Sequence, residues 1–134
     1  MAFIIWDQSL SVNVKRCDDE HRKLLSMLNG LSQAVRVGKG HSVIKLVIQD
    51  LDTYAKTHFA TEEGYFAQTN YPASAVHRAE HQGFVVRVNE FKQGLYAGQA
   101  EPAAVVEFMQ EWLKKHILHS DRLYTTHLNA HGVS

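Results

Sequence analysis

Apolar side chains in this chain recur at three- and four-residue steps in four separate stretches, a period that selects helices over strands. In the first stretch Leu24, Leu25, Leu28, Leu31 and Val35 form one stripe, with Asp18 or Asp19 able to cap its start and Gly38 and Gly40 able to close it. The second starts near Ser42, a suitable N-cap, and places Ile44, Val47, Ile48, Leu51, Tyr54 and Ala55 together before Asn70-Tyr71-Pro72. Pro72 suits the first turn of a third helix, whose inward positions run His77, His81, Phe84, Val88, Phe91 and Leu95 toward Gly98. Pro102 opens the fourth, where Val105, Met109, Trp112, His116 and Leu123 share a stripe flanked by Leu113, Ile117, Asp121 and Tyr124.

These signals predict helices over roughly 18–37, 42–68, 73–97 and 102–128, joined by short linkers that favour antiparallel neighbours. The expected fold is therefore all-α, an up-down-up-down four-helix bundle. Residues 1–17 lack a helical period and form an N-terminal arm that Phe3 and Trp6 are large enough to pin to the bundle. A chain of 134 residues fits a single domain with a core that needs no disulfide.

Seven residues of metal-binding type lie along those stripes: His21; His58 with Glu62; His77 with His81; and His116 followed by Asp121. Residues four apart on a helix differ by about 40° and one turn, so His58 with Glu62, and His77 with His81, can each approach one centre. His116 and Asp121 are five apart, about 140° around an α-helix, and so reach different parts of a site. That offset points to a wide, dinuclear centre in which each carboxylate bridges two ions. As ordinary core residues, each of the seven would need a buried partner to avoid roughly 1 to 3 kcal/mol. The sequence shows no comparable supply of such partners, and a shared metal centre satisfies all seven. With Cys17 as the only cysteine, the donors are nitrogen and oxygen, which suits iron, zinc, copper or manganese.

The remaining composition narrows the partners. Fourteen basic residues balance fourteen acidic ones, so no electrostatic footprint for nucleic acid or an anionic membrane exists. No uncharged apolar run approaches the roughly 20 residues that cross a bilayer, and the opening segment lacks the basic start of a secretory signal. The expectation is a soluble cytoplasmic protein without membrane insertion. His41, His127 and His131 read as loop or terminal residues without a role.

Several pieces of the chain, in order, resemble the hemerythrin family, and most closely its single-domain bacterial members. They are Trp6, Asp18-Asp19-Glu20-His21 with Leu24, His58-Phe59-Ala60-Thr61-Glu62-Glu63, Tyr71-Pro72, His77-Arg78-Ala79-Glu80-His81 with Phe84, and Trp112-Leu113-Lys114-Lys115-His116-Ile117 running to Asp121 and Tyr124. The resemblance implies two non-haem iron ions, His77, His81 and His116 binding one and His21 and His58 the other. Glu62 and Asp121 would bridge them, beside an oxo or hydroxo group, and dioxygen would bind reversibly at the less crowded iron.

Around that position Leu24, Trp112, Leu113 and Ile117 form an apolar oxygen pocket that excludes water, and equally serve as core. Phe59 and Tyr124 are assigned mainly to packing. Glu63 and Glu80 point about 100° away from the ligands beside them, toward solvent or an outer contact. Glu20 stands where the family often has Gln, and is expected to face solvent. His119, one turn past His116, is either a partly exposed histidine or a proton donor at the pocket that would speed oxidation of the oxygenated form.

The function expected is a non-enzymatic dioxygen carrier for transport, storage or delivery in a microbial cell. Competing readings are a di-iron enzyme acting on dioxygen, peroxide or nitric oxide, an iron buffer, and an oxygen sensor. Five histidines to two carboxylates favour the reversible centre, since di-iron oxidases more often use carboxylate-rich sites.

Overall fold

The computed structural model describes residues 4–134. Four long rods pack as a bundle, and the described residues contain no strand. Helix α1 spans Lys15–Arg36, α2 Gly40–Thr69, α3 Ser74–Tyr96 and α4 Pro102–Trp112. The fourth rod continues from α4 as a π-helical segment, Leu113–Asp121, and ends in a short α5, Thr125–Ala130. Helix α1 lies against α2 and α4, and α2 against α3, so the apolar stripes meet at the bundle axis.

The arm enters the bundle differently from expectation. Neither Asp18 nor Asp19 caps α1, whose N-cap is Val14, because burying Val12 and Val14 commits the chain to start the helix earlier. Asp18 instead reaches back over the first turn and accepts the Val12 backbone N–H at 2.8 Å, while Asp19 pairs with Lys15 and Arg22 at the surface. Trp6 packs against the core with Arg22 over its ring, and Asn29 ties down the Ile4 backbone from both sides. Phe3 lies outside the described residues.

Helix α2 likewise starts at Gly40, two residues before the expected cap, and the Ser42 hydroxyl donates back to the Lys39 carbonyl. Gly40 is needed there because a Cβ would come within 2.8 Å of the Pro102 ring, where the starts of α2 and α4 touch. Helix α2 closes on Asn70 in the left-handed region, a conformation that Asn tolerates. Pro72 precedes α3 in the turn, two residues before its first residue, and Pro102 occupies the first turn of α4.

Two apolar clusters result. One gathers Leu24, Leu28, Leu51, Phe84, Met109 and Ile117 with their neighbours along most of the bundle. The other joins Val12, Val14 and Cys17 to Phe66, Tyr71, Tyr124 and Leu128, tying the arm to the end of the fourth rod. Each fully buried side chain of this size contributes about 1.5 to 3 kcal/mol.

The π segment changes the register of the fourth rod. Its bonds run from residue i to i+5, one residue more per turn than in an α-helix, so positions beyond it rotate. Leu123, expected inside, is 61% exposed, and Tyr124 is fully buried in its place.

Candidate metal centre

All four rods deliver donors to one buried place between the two apolar clusters: His21 from α1, His58 and Glu62 from α2, His77 and His81 from α3, His116 and Asp121 from the π segment. Glu62 and Asp121 have no solvent exposure at all. The donor atoms of Glu62, His77, His81, His116 and Asp121 lie within 4.8 Å of one another, as do those of His21, His58, Glu62 and Asp121. The structure thus gathers all seven sequence-predicted residues into two overlapping groups, and the two carboxylates belong to both.

The α-helical pairs behave as their spacing requires, with His58 Nε2 and Glu62 Oε2 3.3 Å apart. The His116–Asp121 step does not. Expected 140° apart, these residues share a face because the π winding stacks i over i+5, and His116 Nε2 lies 2.9 Å from Asp121 Oδ1. The two-centre arrangement therefore follows from the shared carboxylates and not from an angular offset.

Outer carboxylates orient three of the histidines. His58 Nδ1 donates to Glu20 Oε1 at 2.7 Å, His81 Nδ1 to Glu63 Oε2 at 2.8 Å, and His116 Nδ1 to Glu80 Oε1 at 3.0 Å. Each bond fixes the ring and turns Nε2 inward, where a metal would meet it. Aromatic faces set the same rings from the side: Phe59 stacks on His81 and Trp112 on His116, both at 3.9 Å between centroids, and Tyr54 lies parallel to His58. The Tyr124 hydroxyl donates to Glu62 Oε2 at 2.7 Å, leaving Oε1 toward His77 and His81.

The donor set fits a metal by a direct structural criterion. His77 Nε2, His116 Nε2 and both oxygens of Asp121 are buried without a hydrogen-bond partner, although Asp121 Oδ1 lies 2.8 and 2.9 Å from the two nitrogens. The separations suit hydrogen bonds and the alignments do not. Buried lone pairs so arranged cost free energy unless cations receive them.

Without such ions, protons take their part. Burial lowers the affinity of His58 for a proton, but the charge of Glu62 and the bond to Glu20 outweigh it and raise its pKa to about 10. His77 rises to about 9 against the same opposition, through Asp121 and Glu62. Burial opposes ionisation of Glu62 and Asp121, yet the surrounding histidines hold both carboxyls well below their ordinary values. Burial and the Glu62 charge push the Tyr124 hydroxyl up, which keeps it a neutral donor.

The hemerythrin HHE cation binding domain, as a family model, matches residues 12–128. The chain belongs to the hemerythrin family. Among similar hemerythrins, the bacteriohemerythrin of Stenotrophomonas maltophilia is 30% identical over 131 residues, covering 98% of this chain and 85% of that one. That of Pseudomonas aeruginosa is 32% identical over 124 residues, 92% of this chain and 80% of its own length. A wild-type hemerythrin crystal structure superposes with a TM-score of 0.85 at 30% identity, covering 95% of this chain and 98% of the other. The histidine and carboxylate cluster matches the hemerythrin di-iron donor set, and two non-haem irons are the cofactor it fits.

Within this hemerythrin several residues depart from their sequence assignment. Glu20, expected in solvent, is buried, because the α1 turn that carries His21 also brings it against His58 and Thr61. Glu63 and Glu80 make the outer contact that was one of the two readings open to them, and Glu20 is the histidine partner that the sequence did not reveal. Only their adjacency to ligands marked them, and the contacts cross between helices. Tyr124 packs as expected and also holds Glu62. Leu24, Leu113 and Ile117 are buried in the core, and Trp112 is half-buried. His119 is exposed, which agrees with the first of its two readings, a histidine at the surface of the bundle.

Proposed function

We propose that this hemerythrin binds dioxygen reversibly at two non-haem irons and acts as a carrier, not an enzyme, for transport, storage or delivery in a microbial cytoplasm. The observation that carries the reading is the overlap of the two donor groups through Glu62 and Asp121. His77, His81 and His116 would hold one iron and His21 and His58 the other, with Glu62 and Asp121 shared between them. When bound, the pair supplies one electron from each iron to dioxygen and takes both back on release.

The second group offers four protein donors against five in the first, which leaves room for a small ligand on the His21 and His58 side. Leu24, one turn beyond His21, and Trp112, Leu113 and Ile117, around His116, would line the site as an apolar oxygen pocket and exclude water, which would otherwise supply protons and screen the charges. Tyr124 keeps its proton on Glu62, so the carboxylate stays oriented and that hydroxyl is not offered to the ligand. The reading takes residues 1–134 as one hemerythrin-like domain. No helix among the described residues is long and apolar enough to cross a membrane.

A closed-cell oxygen measurement tests the proposal. The iron-loaded, reduced protein should take up one dioxygen per two irons and return it under an argon purge. Continuous consumption in the presence of a reductant would mark an oxygen-using enzyme instead, and no uptake would overturn the carrier reading.

A further inference from the structure

We propose that Glu20 is a positioning residue that sets the electron-donating strength of the His21 and His58 half of the centre, independently of the other half. The inference rests on the di-iron reading and on how the outer carboxylates are divided. Glu63 and Glu80 hold His81 and His116, both in the five-donor group, whereas Glu20 alone holds His58 in the four-donor group.

Glu20 is also the most enclosed of the three. Its side chain is 10% exposed, against 32% for Glu63 and 36% for Glu80. Its charge is consequently less screened by water where it acts on the imidazole. Both oxygens are engaged: Oε1 accepts His58 Nδ1, and Oε2 accepts the Thr61 hydroxyl at 3.1 Å and faces Arg16 Nε at 3.5 Å. The carboxylate is thus held in register and cannot swing away from the ring.

An anion accepting the Nδ1 proton makes an imidazole a stronger donor at Nε2. A stronger donor favours the more highly charged state of the ion it binds. Replacing Glu20 by Gln keeps a hydrogen-bond acceptor of the same shape and removes only the charge. Arg16, 64% exposed, acts on Glu20 from the solvent side and partly offsets that charge.

The test is an anaerobic redox titration of the iron-loaded protein, resolving its two one-electron steps. Glu20→Gln should shift one step about tenfold toward the reduced state, which is about 59 mV for one electron, and leave the other in place. Glu63→Gln should move the other step by less. Arg16→Gln should move the Glu20-dependent step in the opposite direction; its exposed position spares the fold, so it decides the matter even if Glu20→Gln does not fold. Unchanged potentials in the variants, or equal shifts of both steps, would overturn the proposal. A wild-type protein that fails to take up two irons would overturn the di-iron reading on which it rests.

Discussion

His116 and Asp121 are five residues apart in the chain and 2.9 Å apart at Nε2 and Oδ1, a meeting that depends on the π segment between them. π turns inside helices recur at functional sites, and here the extra residue per turn converts an unfavourable spacing into a chelating one. With Glu62 on the opposite wall, Asp121 belongs to both groups of donors.

Loss of either shared carboxylate should therefore affect both irons. Glu62→Ala and Asp121→Ala are expected to reduce iron from two per chain to one or fewer. The melting temperature should fall with the iron, because a metal bound by separate helices contributes directly to folding. Iron analysis and thermal melts on the same samples check this. Full occupancy in both variants would refute the bridging roles.

The raised histidine pKa values carry a pH signature for the iron-free protein. His58 at about 10 and His77 at about 9 both lie above the ordinary 6.5, so the folded state binds protons that the unfolded chain releases. Their contribution to stability is complete below pH 6.5 and is lost as pH rises through 9 to 10. Melting temperature of the iron-free protein should decline across that window. Iron uptake at pH 7 should in turn release protons, measurable with a pH indicator, since the metal takes the Nε2 positions. A flat stability profile and proton-neutral uptake would contradict the assignment.

Tyr124→Phe removes one hydroxyl and almost no volume. Glu62 Oε2 then loses its 2.7 Å donor in a fully buried setting, at a cost of about 1.5 to 3 kcal/mol for a bond to a charged group. The expected result is a lower melting temperature and faster iron loss to a chelator, with the bundle intact by circular dichroism. Wild-type iron retention would show that the bond does not hold the carboxylate.

Leu24→Ala and His119→Leu should behave in opposite ways. Leu24 is 2% exposed, so its truncation should cost about 2 to 5 kcal/mol and open the pocket to water, shortening the life of the oxygenated form. His119 is exposed, and its replacement should leave the autoxidation rate unchanged. Both rates can be followed optically in air-saturated buffer. A slower rate in His119→Leu would return that residue to the pocket.

The bundle was legible because hydrophobic period and Gly, Pro and Asn breaks are local properties, and the ligand pairs were legible because four-residue steps map directly onto a helix face. The π segment was not, since one extra residue per turn leaves no mark in composition. It hid why His116 and Asp121 converge and which of Leu123 and Tyr124 turns inward. Glu20 was misread for a different reason: its burial depends on where α1 crosses α2, a relation between helices that no single-helix period encodes. The same holds for the Tyr124 bond to Glu62, which spans 62 positions in sequence.

The most direct measurement is the visible spectrum of the reduced, iron-loaded protein before air is admitted, after it, and after the gas is removed. A charge-transfer band that appears with air and disappears on its removal, through repeated cycles, is the predicted result. An irreversible change in the first cycle, or a protein that binds only zinc, would contradict reversible dioxygen binding at this centre.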